Sequence, residues 1–409
     1  MIHFGGCKGI QQKLINFSVL HFLFGMVLAC YLPFFVVYLL DRKIDNTTIG
    51  NILMINSLVS VFAQILWGII SDRIGSIQRV FISCLTCTIL LNLLLPFTHQ
   101  ARILIILLPM ITFFLIPLIP LLDSWTLKGI KKGSSQSYGS IRLWNSIGYT
   151  VTAVFAGKLV SSTSINSVFF LFSILGCMII FIGFKLKIVD SHEEASQKAR
   201  LSSLTDIKKL LKNYQYVTFL FSCCILYIAV SPLFSFIPEL MNQSGGNEGL
   251  YGIAVAVSAI SEVPIFYLSL KIINKFKIHH LIAAAFAFYA LRMLILSSAS
   301  SPQIIIISQC MQSITYSLFL IGSVHYIDSL APKELKATAL SLGSSVYGGL
   351  GGIIGNYFAG RLIDIAGIFS AYRAGSFICF SALVLFILFL WLGRCLNGKQ
   401  DKIQTGFEA

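Results

Sequence analysis

Hydrophobic residues fall along this chain in twelve long runs separated by short polar breaks. The runs cover approximately 15–40, 49–70, 80–97, 102–124, 138–160, 167–186, 215–239, 250–273, 279–298, 302–329, 339–362 and 370–393. Most approach or exceed the ~20 residues that an α-helix needs to cross a bilayer. The pattern therefore predicts an all-α membrane protein with twelve transmembrane helices. One long polar stretch, KIVDSHEEASQKARLSSLTDIKKLLKN, divides the runs six and six. Three parts are expected: a six-helix bundle over 1–186, a cytoplasmic linker over 187–213, and a second six-helix bundle over 214–409 that ends in a short cytoplasmic tail.

Composition agrees: 56% of residues are hydrophobic and 11% charged, against about 25% charged in a soluble domain. The net charge of +14 raises the question of a polyanionic partner, and the placement of the charge answers it. With both termini in the cytoplasm, 22 of the 30 Lys and Arg fall in cytoplasmic segments, among them Lys128, Lys131, Lys132, Lys185, Lys271, Lys275 and Lys277. The opposite side holds Arg42, Lys43, Arg102, Lys158, Arg361 and Arg373, and Arg142 and Arg292 lie within helices. This is the positive-inside asymmetry of a multi-pass protein of the cell membrane. It accounts for the charge without nucleic acid. The ten cysteines are scattered singly or lie within apolar runs, which fits neither a disulfide framework nor a metal site. Val27-Leu28-Ala29-Cys30 has the shape of a lipoprotein cleavage box. The apolar run continues past it to Leu40, so the segment is expected to stay as the first span.

The halves repeat. Pro33, Gly50 and the GIISDR end of the second run correspond to Pro232, Gly252 and the LKIINK end of the eighth, at offsets of 199 to 202 residues. Two parallel six-helix halves with a site between them is the arrangement of an alternating-access carrier. No hydrolase, kinase or ATP-binding motif is visible, so an enzyme and a cofactor are not expected. The glycines of the eleventh run (Gly343, Gly348, Gly349, Gly351, Gly352, Gly355, Gly360) lack the Lys-Ser/Thr of a phosphate loop. They suit helices that approach closely and slide.

At residues 68–79, GIISDRIGSIQR resembles the cytoplasmic loop motif of the major facilitator superfamily. YLPFFVVYLLDRKIDNTTIG is similar to the first-to-second helices of its lactose permease branch, the oligosaccharide–proton symporters, and YGSIRLWNSIGY resembles that branch's fifth helix and that of relatives that carry phenylpropionate or nucleosides. The resemblance implies a conformational latch at Gly68, Asp72, Arg73, Gly75 and Arg79. Physically, Asp72 can meet the positive N-terminus of a neighbouring helix; an ordinary positive-inside loop is the alternative.

Charges at membrane depth are rare and usually line a pathway. In the first half, Arg142, Asn145 and Tyr149 fall at i, i+3 and i+7, on one helical face, and Asp123 ends the preceding run within reach of it. The resemblance makes Arg142 the arginine of a sugar site and Tyr149 the aromatic on which the ring stacks. A structural ion pair between neighbouring helices is the alternative. In the second half, Glu262 and Arg292 sit mid-run and are expected to pair across adjacent helices. Burial disfavours a charged carboxylate and a neighbouring guanidinium favours it, so Glu262 is the first candidate for a proton carrier, with Arg292 as its switch and Asp123 as the other acid. A fixed buried pair is the alternative. The tenth run departs from the branch: where lactose permease has a lysine, a histidine and a glutamate, this chain has Gln309, Gln312 and Thr315, followed by Tyr316. Gln309, Gln312 and Tyr316 form a neutral stripe able to hydrogen-bond a solute but not to carry a proton. His21 is a packed or cavity-lining histidine. His325 and Asp328 are loop anchors, and Trp125 and Trp144 are interface anchors.

The sequence thus points to a monomeric carrier of a small polar organic solute, a sugar, oligosaccharide or nucleoside, moved with protons. Export of amphipathic compounds, import of an aromatic acid, and a transporter-fold sensor are the other readings. No metal site is expected.

Overall fold

The computed structural model describes residues 4–98, 100–129, 135–186, 210–332 and 335–405. Of the linker expected at 187–213, residues 187–209 lie outside these, as do Lys131 and Lys132. Every regular element among the described residues is helical.

The first span is two helices, α1 (Phe4–Tyr31) and α2 (Phe34–Asp41). Pro33, which has no N–H to donate, stands at the break. Asp45 then caps α3 (Asn46–Ile74), its carboxylate accepting from the Thr48 N–H at 2.8 Å. Gly75 closes α3 in the left-handed conformation, φ 70°, where a residue without Cβ is at no disadvantage. There follow α4 (Ile77–Asn92), α5 (Ala101–Leu115) and α6 (Leu118–Gly129), α7 (Ser135–Ser162) and α8 (Asn166–Lys185). The α5–α6 break falls at Ile116 and Pro117 within one span.

The second half has α9 (Tyr214–Ser235), α10 (Ile237–Gln243), α11 (Glu248–Tyr267), α12 (Ser269–Lys275) and α13 (Ile278–Leu296). Next come α14 (Pro302–Gln309), a π-turn at Ser313–Ser317, α15 (Leu318–Leu330), α16 (Lys336–Ser344), a second π-turn at Ser345–Leu350, α17 (Gly351–Ala366) and α18 (Ile368–Thr405). Ten of the spans are long and apolar enough to cross a bilayer on their own. The other two are α7, diluted by Arg142, Asn145 and Lys158, and the glycine-rich 336–366 stretch. Together these make twelve membrane-spanning segments among the described residues.

The fold contacts divide the chain into two compact units. The first comprises Met1–Lys198, Ser235–Ile260 and Ser301–Ile306; the second comprises Ala199–Phe234, Ser261–Ser300 and Ile307–Ala409. In the first unit α1 is central and packs along α7 and α8. The α1–α7 crossing is made by two glycines: a Cβ on Gly25 would run into the Asn145 carbonyl, and one on Gly148 into the Phe22 carbonyl. Only glycine lets these backbones touch. Trp125 is 2% exposed and packs edge-on to Phe17 and tilted on Phe81, at 5.8 and 5.6 Å between ring centres. It is a core residue and not the interface anchor expected, because its α6 face points to α1 and α4; Trp144 is 45% exposed. In the second unit α13 is central, against α18 and α15.

Candidate functional site

Two polar clusters lie within the spans, one in each unit. In the first, Arg142 Nη1 donates to Asp123 Oδ2 at 3.0 Å, joining α7 to α6. The side chains are 56% and 23% exposed, so the pair is open on the arginine side. Asn145 and Tyr149, half-buried, follow Arg142 on α7. Gly148 lies beside this face, and its contact with α1 helps to fix the rotation of α7.

His21 belongs to the same neighbourhood. It is 1% exposed, and its Nε2 lies 2.9 Å from the Thr126 hydroxyl, one turn beyond Asp123 on α6. The Thr126 hydroxyl gives its hydrogen to the Leu122 carbonyl at 2.8 Å. It must therefore accept from His21, which places the proton of a neutral imidazole on Nε2. Thr126 escaped sequence reasoning; its i+3 spacing from Asp123 was the available signal.

In the second unit Arg292 has no solvent exposure. Its Nη1 donates to Gln312 Oε1 at 2.6 Å and to the Thr315 hydroxyl at 3.3 Å, and its Nη2 to Gln309 Oε1 at 2.7 Å. The Phe234 ring lies 5.7 Å from the guanidinium carbon. Gln312 turns its amide nitrogen to Glu262 Oε1 at 3.2 Å. The direct Glu262–Arg292 pairing expected from sequence is not formed; Gln312 stands between base and acid and hydrogen-bonds both. Gln309 and Gln312, 2% and 5% exposed, thus serve the guanidinium, which needs several acceptors once removed from water. Tyr316 is half-buried in the π-turn that also carries Thr315, an irregularity often found at functional positions. Phe234 and Tyr289 were not anticipated; Tyr289 lies three residues before Arg292, on its face of α13.

The motif at 68–79 spans the α3–α4 turn. Gly68 is inside α3, Arg73 in its exposed last turn, Gly75 at its cap and Arg79 exposed in the first turn of α4. The side chain of Asp72 lies outside those described. Asp328 pairs with Lys336 at 2.6 Å, tying α15 to α16 as a loop anchor should. Among the described residues no group of three or more His, Cys, Asp or Glu gathers to hold a metal.

Twelve apolar spans with charged and polar groups held inside two helical units define a polytopic membrane carrier. The chain belongs to the MFS_1 like family, which it matches over residues 14–374. It is similar to an uncharacterized transporter, YwbF, of Bacillus subtilis (strain 168), 23% identical over 346 residues that make up 83% of this chain and 84% of that protein. It is also similar to a maltose permease of Geobacillus stearothermophilus, 24% identical over 390 residues, 93% and 95% of the two chains. Among solved structures, that of the nucleoside transporter NupG superposes with a TM-score of 0.82, at 16% identity and covering 92% and 99% of the chains. The protein is therefore a secondary transporter of the major facilitator type and not an enzyme.

Proposed function

We propose that this carrier moves a sugar, oligosaccharide or nucleoside by alternating access, coupled to protons. The observation that carries the reading is the open Asp123–Arg142 pair at 3.0 Å. A carboxylate and a guanidinium side by side accept and donate hydrogen bonds to neighbouring hydroxyls without leaving a net charge. Asn145 adds an amide and Tyr149 a ring face on the same helix. Gln309, Gln312 and Tyr316 are assigned to the solute side of the second unit, with Gln309 and Gln312 also holding Arg292. A maltose permease among the relatives and a nucleoside transporter of like fold fit such a solute.

The proton is assigned to Glu262, with Asp123 as the other candidate. Glu262 reaches Arg292 through one amide, so a small rearrangement of Gln312 brings the acid and base together or parts them. The six-helix halves 1–186 and 214–409, joined by the linker, are the moving bodies in this reading. The α3–α4 motif is the latch, both termini are cytoplasmic and the monomer is the working unit.

Counterflow of labelled maltose and of uridine in proteoliposomes tests the reading. The native protein should exchange at least one of them, and Arg142→Ala should abolish that exchange while leaving the protein folded. Full exchange by Arg142→Ala would remove the α6–α7 site from the mechanism. Neither solute exchanging would overturn the solute class.

A further inference from the structure

On the outside of the first unit, a groove of about 730 Å³ runs between α4 and α8. Ile89 and Leu93 form one wall, and Ile174, Met178 and Phe181 the other. Gly176 permits the two helices to meet beneath it: a Cβ there would lie 2.7 Å from the Ile89 side chain. The Ser173 hydroxyl in the lining is already given to the Phe169 carbonyl at 2.9 Å. Apart from the Cys177 thiol, nothing in the groove can recognise a polar solute.

Length and charge indicate what it can hold. Along α8 the lining runs from Ser173 to Ile182, about 14 Å at the helical rise of ~1.5 Å per residue. One leaflet of a hydrocarbon core about 30 Å thick has nearly that depth. One end of the groove is basic. The Lys185 ammonium lies 4.3 Å from the centre of the Phe181 ring. Gln78 Nε2 donates to the Gly183 carbonyl at 2.8 Å, which brings the start of α4, and with it Arg79, to the same end. Lys185 and Arg79 are exposed, and neither is in an ion pair among the described residues.

We propose that the groove is a binding site for an anionic phospholipid, with one acyl chain along α4 and α8 and the phosphate between Lys185 and Arg79. Apolar contact alone fills such a groove with any lipid. The two cations at the headgroup level distinguish this one, because basic residues beside the bilayer favour anionic lipids.

Native mass spectrometry of the purified protein, titrated with palmitoyl-oleoyl phosphatidylglycerol and with the phosphatidylcholine of the same chains, tests the assignment. Phosphatidylglycerol should be retained about 25-fold over phosphatidylcholine, roughly fivefold for each of the two surface cations. Lys185→Gln should remove most of that preference, and Cys177→Trp, which fills the groove, should lower retention of both lipids. Should Cys177→Trp fail to fold, maleimide labelling of Cys177 in the unaltered protein gives the same information: phosphatidylglycerol should slow it at lower concentration than phosphatidylcholine. Equal retention of the two lipids, a preference unchanged by Lys185→Gln, or a protein dimer shielding Cys177 in place of lipid would each overturn the proposal.

Discussion

A guanidinium removed from solvent, as at Arg292, has to find its acceptors among neighbouring side chains. Gln309, Gln312 and Thr315 provide them, so deleting the arginine leaves three polar groups facing apolar surroundings. Arg292→Ala is expected to lower stability by about 3 kcal/mol, roughly 1 or more for each acceptor that loses its donor, read as a lower melting temperature in detergent. Glu262→Gln should behave differently. A glutamine there still presents an oxygen to Gln312 Nε2 where the carboxylate does now, so folding and counterflow should survive while pH-driven accumulation is lost. Accumulation intact in Glu262→Gln but lost in Asp123→Asn would move the proton to the first unit. Arg142, Arg292, Asp123 and Glu262 were legible in the sequence because charge in an apolar run is conspicuous. So was the nearness of Asp123 to Arg142; the partners of Arg292 and Glu262 were not. The side-chain route from Glu262 to Arg292 depends on the rotation of α11, α13 and α14 about their axes, which no single helix encodes; hence the intervening Gln312 came as a structural result.

Helix crossings set those rotations, and the α1–α7 crossing is the tightest case. Gly25 and Gly148 are reciprocal: each lies against a carbonyl of the opposite helix, and neither neighbour can move aside, since both belong to helix backbone. Gly25→Ala and Gly148→Ala should each destabilise by about 1–3 kcal/mol and turn the Arg142 face of α7. Gly348→Ala, with open space around it, should be tolerated; melting temperatures of the three variants provide the comparison. The glycine-rich eleventh run drew attention in the sequence by its number of glycines, whereas Gly25 and Gly148 stand singly in unremarkable runs. A backbone contact depends on which two positions meet, and composition does not report that. Proline was a better guide, though an incomplete one. Pro33 breaks its span, while Pro232 and Pro264 remain inside α9 and α11, and the π-turns at Ser313–Ser317 and Ser345–Leu350 left no mark in the pattern.

Across the whole molecule, hydrophobic length was enough to read the number and order of spans, because a bilayer imposes that length on every one of them. Which segments pack together is a different matter. The first compact unit takes in Ser235–Ile260 from the second half of the chain. The Tyr251 hydroxyl donates to the Pro33 carbonyl at 3.1 Å, and its ring meets Phe34 edge-on at 5.9 Å between centres. Beside them α7 and α11 cross at Gly157 and Gly252: a Cβ on Gly157 would fall 2.7 Å from the Glu248 carbonyl oxygen and 2.9 Å from the Gly252 Cα. In the alternating-access mechanism proposed above this seam opens in the other state, so a side chain too large for the crossing should favour that state. Gly252→Trp is expected to do so. Ala153 is fully buried beside Gly252, so a cysteine introduced as Ala153→Cys should resist a membrane-impermeant maleimide in the otherwise native protein and react once Gly252→Trp is added. Solute exchange should fall in the same variant while the melting transition stays cooperative. A folded Gly252→Trp protein in which that cysteine stays protected would mean that the crossing repacks locally, and the opening motion would then have to be sought elsewhere than between α7 and α11.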